Sequence, residues 1–183
     1  MISEDYNPLE YILKIQRLKL RIAIIPVLIV LVSFAINYSL RLDVVKYISL
    51  FGLLLYFFIN LIFHYRRAVA PEEAGTVFWS PISGKIKEID NEKHTITISK
   101  RFFDPADIRC PGNDFCDDFM ILSHRAVLFE NKCRLAGRLI GILPGPARCI
   151  CILKENMKSE IRINARVTAG DTPIASVITD NDT

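Results

Sequence analysis

Two stretches decide the fold: IAIIPVLIVLVSFAINYSL at residues 22–40 and YISLFGLLLYFFINLIF at residues 47–63. Neither holds a charge, and each approaches the ~20 apolar residues that cross a bilayer. Only six residues separate them, so they read as a helical hairpin. A cleaved signal peptide would place its apolar core nearer the start and follow it with a small-residue cleavage site. Here a charged segment of some twenty residues comes first and a second apolar span follows, so the first span is expected to stay in the mature protein.

The flanks orient the hairpin. Lys14, Arg17, Lys19 and Arg21 precede the first span and Arg66 and Arg67 follow the second, while the connection offers Arg41 and Lys46 against Asp43. Positive residues stay on the cytoplasmic side, which predicts a protein integral to an inner or cytoplasmic membrane with both termini cytoplasmic. His64, Arg66 and Arg67 then lie at the membrane surface, where they face anionic phospholipid headgroups. Upstream, Leu9, Ile12, Leu13, Ile15 and Leu18 recur at helical spacing against Lys14, Arg17 and Lys19. That pattern fits an amphipathic segment lying among headgroups and, equally, a plain extension of the first span.

The two spans explain why 51% of the chain is hydrophobic and its mean hydropathy is +0.28, although 23% of its residues are charged. A formal net charge of +3, with no Lys/Arg run interleaved with aromatics, argues against a nucleic-acid partner. The expected partners are the bilayer itself and a protein partner or a second copy of the chain. All five cysteines (Cys110, Cys116, Cys133, Cys149, Cys151) follow the spans. An odd number leaves no complete disulfide framework within one chain, and a reducing compartment fits.

Beyond Arg67 the pattern changes to short strands and turns. Strands are expected at 77–79, 85–89, 95–99, 119–122, 138–143, 148–153, 160–164 and 174–178. The polar turn Asp90–His94 joins the second and third as a hairpin, and 102–118, rich in Pro, Gly and Asp, reads as a loop. The division is therefore an amphipathic N-terminal segment (1–21), a transmembrane hairpin (22–64), a linker (65–75), a β-rich cytoplasmic domain (76–179) and a tail (180–183).

Two motifs stand at the ends of the β-rich part: Ser80-Pro81-Ile82-Ser83-Gly84-Lys85-Ile86 and Val167-Thr168-Ala169-Gly170-Asp171-Thr172-Pro173-Ile174-Ala175. Both are turn chemistry, with Gly84 and Gly170 where the chain reverses. Together, behind a membrane hairpin with an aromatic-to-arginine exit from Tyr56-Phe57-Phe58 to Arg66-Arg67 and Pro71, they make the chain resemble the phosphatidylserine decarboxylase family, short prokaryotic type. The resemblance covers about 47–90 and 119–177. It implies the all-β scaffold of that family, akin to a barrel-sandwich hybrid. It also implies phosphatidylethanolamine synthesis by lyases that cleave themselves before a serine in a Gly-Ser motif to make a pyruvoyl group.

The departures from that pattern lie where the chemistry needs a hydroxyl nucleophile, a base and a carboxylate. The family aspartate corresponds to Ser83, the family histidine to Leu128 or Phe129, and the cleavage Gly-Ser to Pro146-Ala147; a second alignment through Pro144-Gly145 deletes the cleavage segment. No Gly-Ser dipeptide occurs in the 183 residues. The degenerate positions Ser83, Phe129 and Ala147 therefore predict a pseudoenzyme with no pyruvoyl cofactor and no catalytic residue of the family kind. Its role would be structural, lipid-binding or regulatory in phospholipid metabolism.

Two other functions remain open at this level. One is an active decarboxylase by an unusual site, with Ser83 or Ser123 as nucleophile. The other is a hybrid-barrel interaction module of a membrane complex, in which Lys93 at the Asp90–His94 turn is the one tempting carrier lysine. His124 and the cysteines lack the paired spacing of a zinc site, and the two thiols of Cys149-Ile150-Cys151 fall on one face of a strand. Asp104, Asp107, Asp114, Asp117 and Asp118 read as an acidic solvated loop. No metal is expected.

Overall fold

The computed structural model describes residues 8–40, 43–66, 76–112, 118–130 and 135–178. Two compact units share the chain, with the boundary between Phe63 and His64.

The first unit is two long apolar helices packed as a hairpin, α1 (Pro8–Leu40) and α2 (Asp43–Ile62). From Pro8 onward, α1 runs unbroken into and through the first apolar span. Pro26 lacks the N–H that would bond the Ile22 carbonyl, yet the helix continues past it. On α2 the buried residues Val45, Gly52 and Ile59 recur every seventh position, the spacing that keeps one stripe against a partner helix. At Gly52 the helices come too near for a side chain: a Cβ there would stand 2.9 Å from Val30 Cγ2 and 3.3 Å from the Pro26 carbonyl oxygen. Asn60, a polar residue within the second span, is served by its own helix, its Nδ2 donating to the Tyr56 carbonyl at 2.8 Å.

The second unit is built from small antiparallel sheets. Its strands are β1 (Val77–Trp79), β2 (Gly84–Asp90), β3 (Thr95–Lys100), β4 (Asp107–Arg109), β5 (Phe119–Leu122), β6 (Val127–Leu128), β7 (Leu139–Ile142), β8 (Ala147–Ile152), β9 (Met157–Ser159), β10 (Arg166–Val167) and β11 (Pro173–Val177). They form three sheets, ordered β1-β11-β9, β10-β2-β3-β8-β5 and β4-β7-β6. An antiparallel bridge from Ile82 to Ile108 ties the segment before β2 to the third sheet.

Strand alternation fills the core. Ile96 and Ile98 of β3 point inward beside Cys151 and Cys149 of β8, their register partners, and all four are fully buried with Phe78, Ile86 and Ile174. The same period of two carries Lys100 to the inward face. Gly84 opens β2 where β3 comes too near for a side chain: a Cβ would sit 2.6 Å from the Ser99 carbonyl oxygen.

Two expectations change. The stretch 102–118 is not loop throughout, because β4 lies within it and is buried at all three residues. Residues 160–164 are not a strand: β9 ends at Ser159, and Asn164 at φ 72° turns the chain into β10. The alternation of Ile161 and Ile163 imitates a strand there, but Ile163 is exposed. The two-residue strands β6 and β10 are too short for any periodicity to register.

Candidate functional site

The two terminal motifs meet. β10 pairs with the start of β2 through Val167 opposite Gly84 and Arg166 opposite Lys85. Gly170, at φ 66°, donates its N–H to the Ser80 carbonyl at 2.8 Å, and the Ser80 amide donates to the Thr172 carbonyl at 3.0 Å. Ser83 is buried, and its hydroxyl oxygen accepts from the Ala169 amide at 3.0 Å. Among the described residues no hydrogen bond links that hydroxyl to a histidine, a lysine or a carboxylate.

The register of β2, β3 and β8 sets Gly84, Lys100 and Ala147 in one cross-strand row, because Lys85 pairs with Ser99 and Lys100 pairs with Ala147. Two of the three degenerate family positions, Ser83 and Ala147, are thus brought to the same end of this sheet, with Lys100 between them. Phe129 is not. It follows β6, donates its amide to the Ile140 carbonyl at 2.8 Å, and is separated from the Ile82–Ser83 segment by β4 and β7. At strand spacings of ~4.8 Å that is roughly 14 Å away.

Lys100 is 2% exposed, and its ammonium donates to three carbonyl oxygens: Gly145 at 3.0 Å, Asp104 at 2.9 Å and Arg101 at 3.3 Å. Burial pulls its pKa down from 10.5 to about 8, against the opposing charges of Asp104 and Asp107. All three donor positions are engaged, so this lysine braces backbone rather than presenting a nucleophile. Alternation in Ile96, Ile98 and Lys100 was the signal that would have revealed it.

Beside it lies a buried ion pair. Asp107 Oδ2 accepts from Arg109 Nε at 2.7 Å, and both side chains are buried. The spacing i, i+2 on β4 puts the two on one face. Arg109 also donates to the Gly137 carbonyl at 2.9 Å and to the Arg66 carbonyl. Asp107 Oδ1 has no hydrogen-bond partner among the described residues. Asp107 is therefore a core carboxylate, not a member of a solvated acidic loop. Breaking such a pair by removing one partner costs about 3–5 kcal/mol, because a buried charge is left uncompensated.

The expected membrane-surface residues begin the second unit. His64 and Arg66 are exposed. The Ala106 amide donates to the His64 carbonyl at 2.7 Å, and the Arg66 guanidinium lies 3.7 Å from Asp171 Oδ2, an exposed pair that adds little stability. Arg67 and Pro71 lie outside the described residues, as do Cys116, Cys133, Asp114 and Asp117.

The other sequence candidates are simpler. Ser123 Oγ accepts from the Arg125 amide at 3.2 Å, a local turn bond. Lys93 sits exposed at the β2–β3 turn, its Nζ 3.3 Å from Asp90 Oδ2. Cys149 and Cys151 are free thiols on the inward face of β8, where burial pushes the Cys151 thiol well above its ordinary value and the neighbouring Cys149 pushes it further. Cys110 is held in a disulfide, which departs from the all-reduced state expected of a reducing compartment. No group of three or more His, Cys, Asp or Glu able to hold a metal occurs among the described residues.

Compared with known proteins, the chain matches no family model, no curated protein and no solved structure.

Proposed function

We propose that this chain is a membrane-anchored, non-catalytic relative of phosphatidylserine decarboxylase. Its β-unit acts at the cytoplasmic membrane surface as a structural, lipid-binding or regulatory partner in phosphatidylethanolamine metabolism. The observation that carries the non-catalytic part is the sheet end where Ser83, just before β2, and Ala147 lie on either side of Lys100. Where the family places an aspartate and the self-cleavage serine, this chain has a hydroxyl spent on the Ala169 amide and a methyl group at the first residue of β8. The ammonium between them is saturated by carbonyls.

The anchoring part is supported by what the helices leave uncovered. Leu31, Phe34, Phe51, Leu54 and Phe57 are each more than half exposed, and α1 and α2 are long and apolar enough to span a membrane. A helix that is apolar around its whole circumference wants lipid or a large protein core around it.

Intact mass of the detergent-solubilised protein tests the first part. A single species near 20.9 kDa is expected. Two fragments, one with a blocked N-terminus, would identify a working pyruvoyl enzyme and end the proposal. Alkaline carbonate washing of membranes tests the second: the chain is expected to stay in the pellet.

A further inference from the structure

β5 closes one side of the five-stranded sheet: it pairs with β8, and no described strand lies on its other side. The Ile152 amide donates to the Asp118 carbonyl at 2.7 Å. Alternate residues of an antiparallel strand bond to opposite neighbours, so Asp118, Met120 and Leu122 turn their backbone groups to β8, and Phe119 and Ile121 turn theirs away from the sheet. Sheet edges are normally blunted by a lysine, a proline or a bulge. β5 reads Phe-Met-Ile-Leu, and its register with β8 runs without a shift.

Its side chains are as unguarded as its backbone. Phe119 and Ile121 pack against the core. Met120 and Leu122 alternate to the other face and are 52% and 50% exposed. On β8, half-buried Ile150, the register partner of Met120, and exposed Ile152 continue that apolar face. A contiguous exposed apolar patch on an open edge marks a place where another chain docks.

Charge says which chain completes the edge. The sequence leading into β5 is acidic, with Asp114, Asp117 and Asp118, and the sequence leaving it is basic, with His124 and Arg125. Arg148, exposed and opposite Leu122 on β8, adds a second guanidinium at the exit end. A parallel copy of this strand would set acid against acid. An antiparallel copy sets the acidic end of each against the basic end of the other, and two-fold symmetry makes the match twice.

We propose that β5 is the self-association edge of this protein, two copies joining β5 to β5 antiparallel about a two-fold axis at Met120. Phe119 of each copy then exchanges backbone hydrogen bonds with Ile121 of the other. Met120 meets its own counterpart across the axis in the closer, non-hydrogen-bonded kind of pair, and Arg148 reaches over Leu122 toward the other copy's Asp118. Nothing in this pairing depends on the proposed family or on the membrane reading of α1 and α2.

Light scattering of the full chain in detergent, corrected for the micelle, reads the mass of the assembly. The parent is expected at twice 20.9 kDa. Met120→Lys and Met120→Glu each set like charges against one another at the axis, so each is expected at half the parent's mass with an unchanged thermal melt. Mixed one to one, the two variants are expected to recover the parent's mass, because lysine then meets glutamate. A parent at single-chain mass, alone or with a different protein bound, overturns the edge. So do variants that stay dimeric, which put the contact elsewhere, and a mixture that stays at single-chain mass. Mild oxidation reads the register. Met120→Cys is expected to cross-link most of the protein into a dimer on a non-reducing gel. Leu122→Cys is expected to give no more dimer than the parent, since its two copies lie roughly 14 Å apart, beyond the ~7 Å Cα separation that a disulfide bridges. Equal cross-linking by the two cysteines overturns the pairing about Met120.

Discussion

Lys100 shows how one side chain can organise a surface it does not reach. Its ammonium is taken out of water and repaid by three carbonyls, and burial lowers its pKa to about 8 from 10.5. Between those values the unfolded chain holds a proton that the folded chain has released, so stability rises with pH across that window and the gain is absent below it. Lys100→Met leaves three carbonyls without their donor and is expected to cost about 1–3 kcal/mol at neutral pH. The deficit of the variant against the parent should widen as the pH climbs from 8 toward 10.5. Urea melts at stepped pH check this; a constant difference would mean the ammonium is hydrated rather than buried. Ser83 teaches the complementary lesson. A serine in a family motif invites a chemical role, yet its hydroxyl serves as an acceptor that pins the Gly170 turn to the start of β2.

Among the elements, the helical hairpin depends on one missing side chain. Gly52 lets α2 lie against Val30 and the backbone at Pro26, the kind of small-residue contact on which helices pack where no hydrophobic force drives them together. Gly52→Leu is expected to push the helices apart and lower the melting temperature of the detergent-solubilised chain by several degrees, about 1–3 kcal/mol of overpacking. Gly52→Ala meets the same Val30 methyl at 2.9 Å and should fall between. An unchanged melt for Gly52→Leu would rule out close packing at this point. The strands were legible to different degrees for a physical reason. β1, β5 and the hairpin of β2 and β3 carry clear alternation and turn residues, and their expected and observed bounds agree closely. β4 was hidden because Asp107 and Arg109 look solvated until they are seen to neutralise each other in the core.

At the scale of the whole molecule, two signals about compartment pull in opposite directions. Basic residues at Lys14, Arg17, Lys19, Arg21 and Arg66 favour a cytoplasmic β-unit, whereas a disulfide at Cys110 belongs in an oxidising space or is transient in the cytosol. On the proposed reading of α1 and α2 as membrane spans, flanking charge acts at insertion, before any thiol is oxidised, so orientation is expected to follow charge. Cells quenched in acid, denatured and alkylated should then yield Cys110 with a free thiol, and the same protein purified in air should yield it oxidised. Cys110 found bonded at the moment of quenching would place the β-unit outside the cytoplasm and reverse the topology.

Local pattern by itself determined the two apolar helices, the switch to short antiparallel strands after them, and the absence of a Gly-Ser cleavage dipeptide. Each is written in consecutive residues, as length of apolar run, period of alternation or plain identity. Only the tertiary structure decided that Ser80–Ile86 meets Val167–Ala175, and that Ser83 and Ala147 come to one end of a sheet with Lys100 between them while Phe129 stands apart. Those relations depend on strand register and on which buried charges find partners. Both are settled by contacts between residues far apart in the chain.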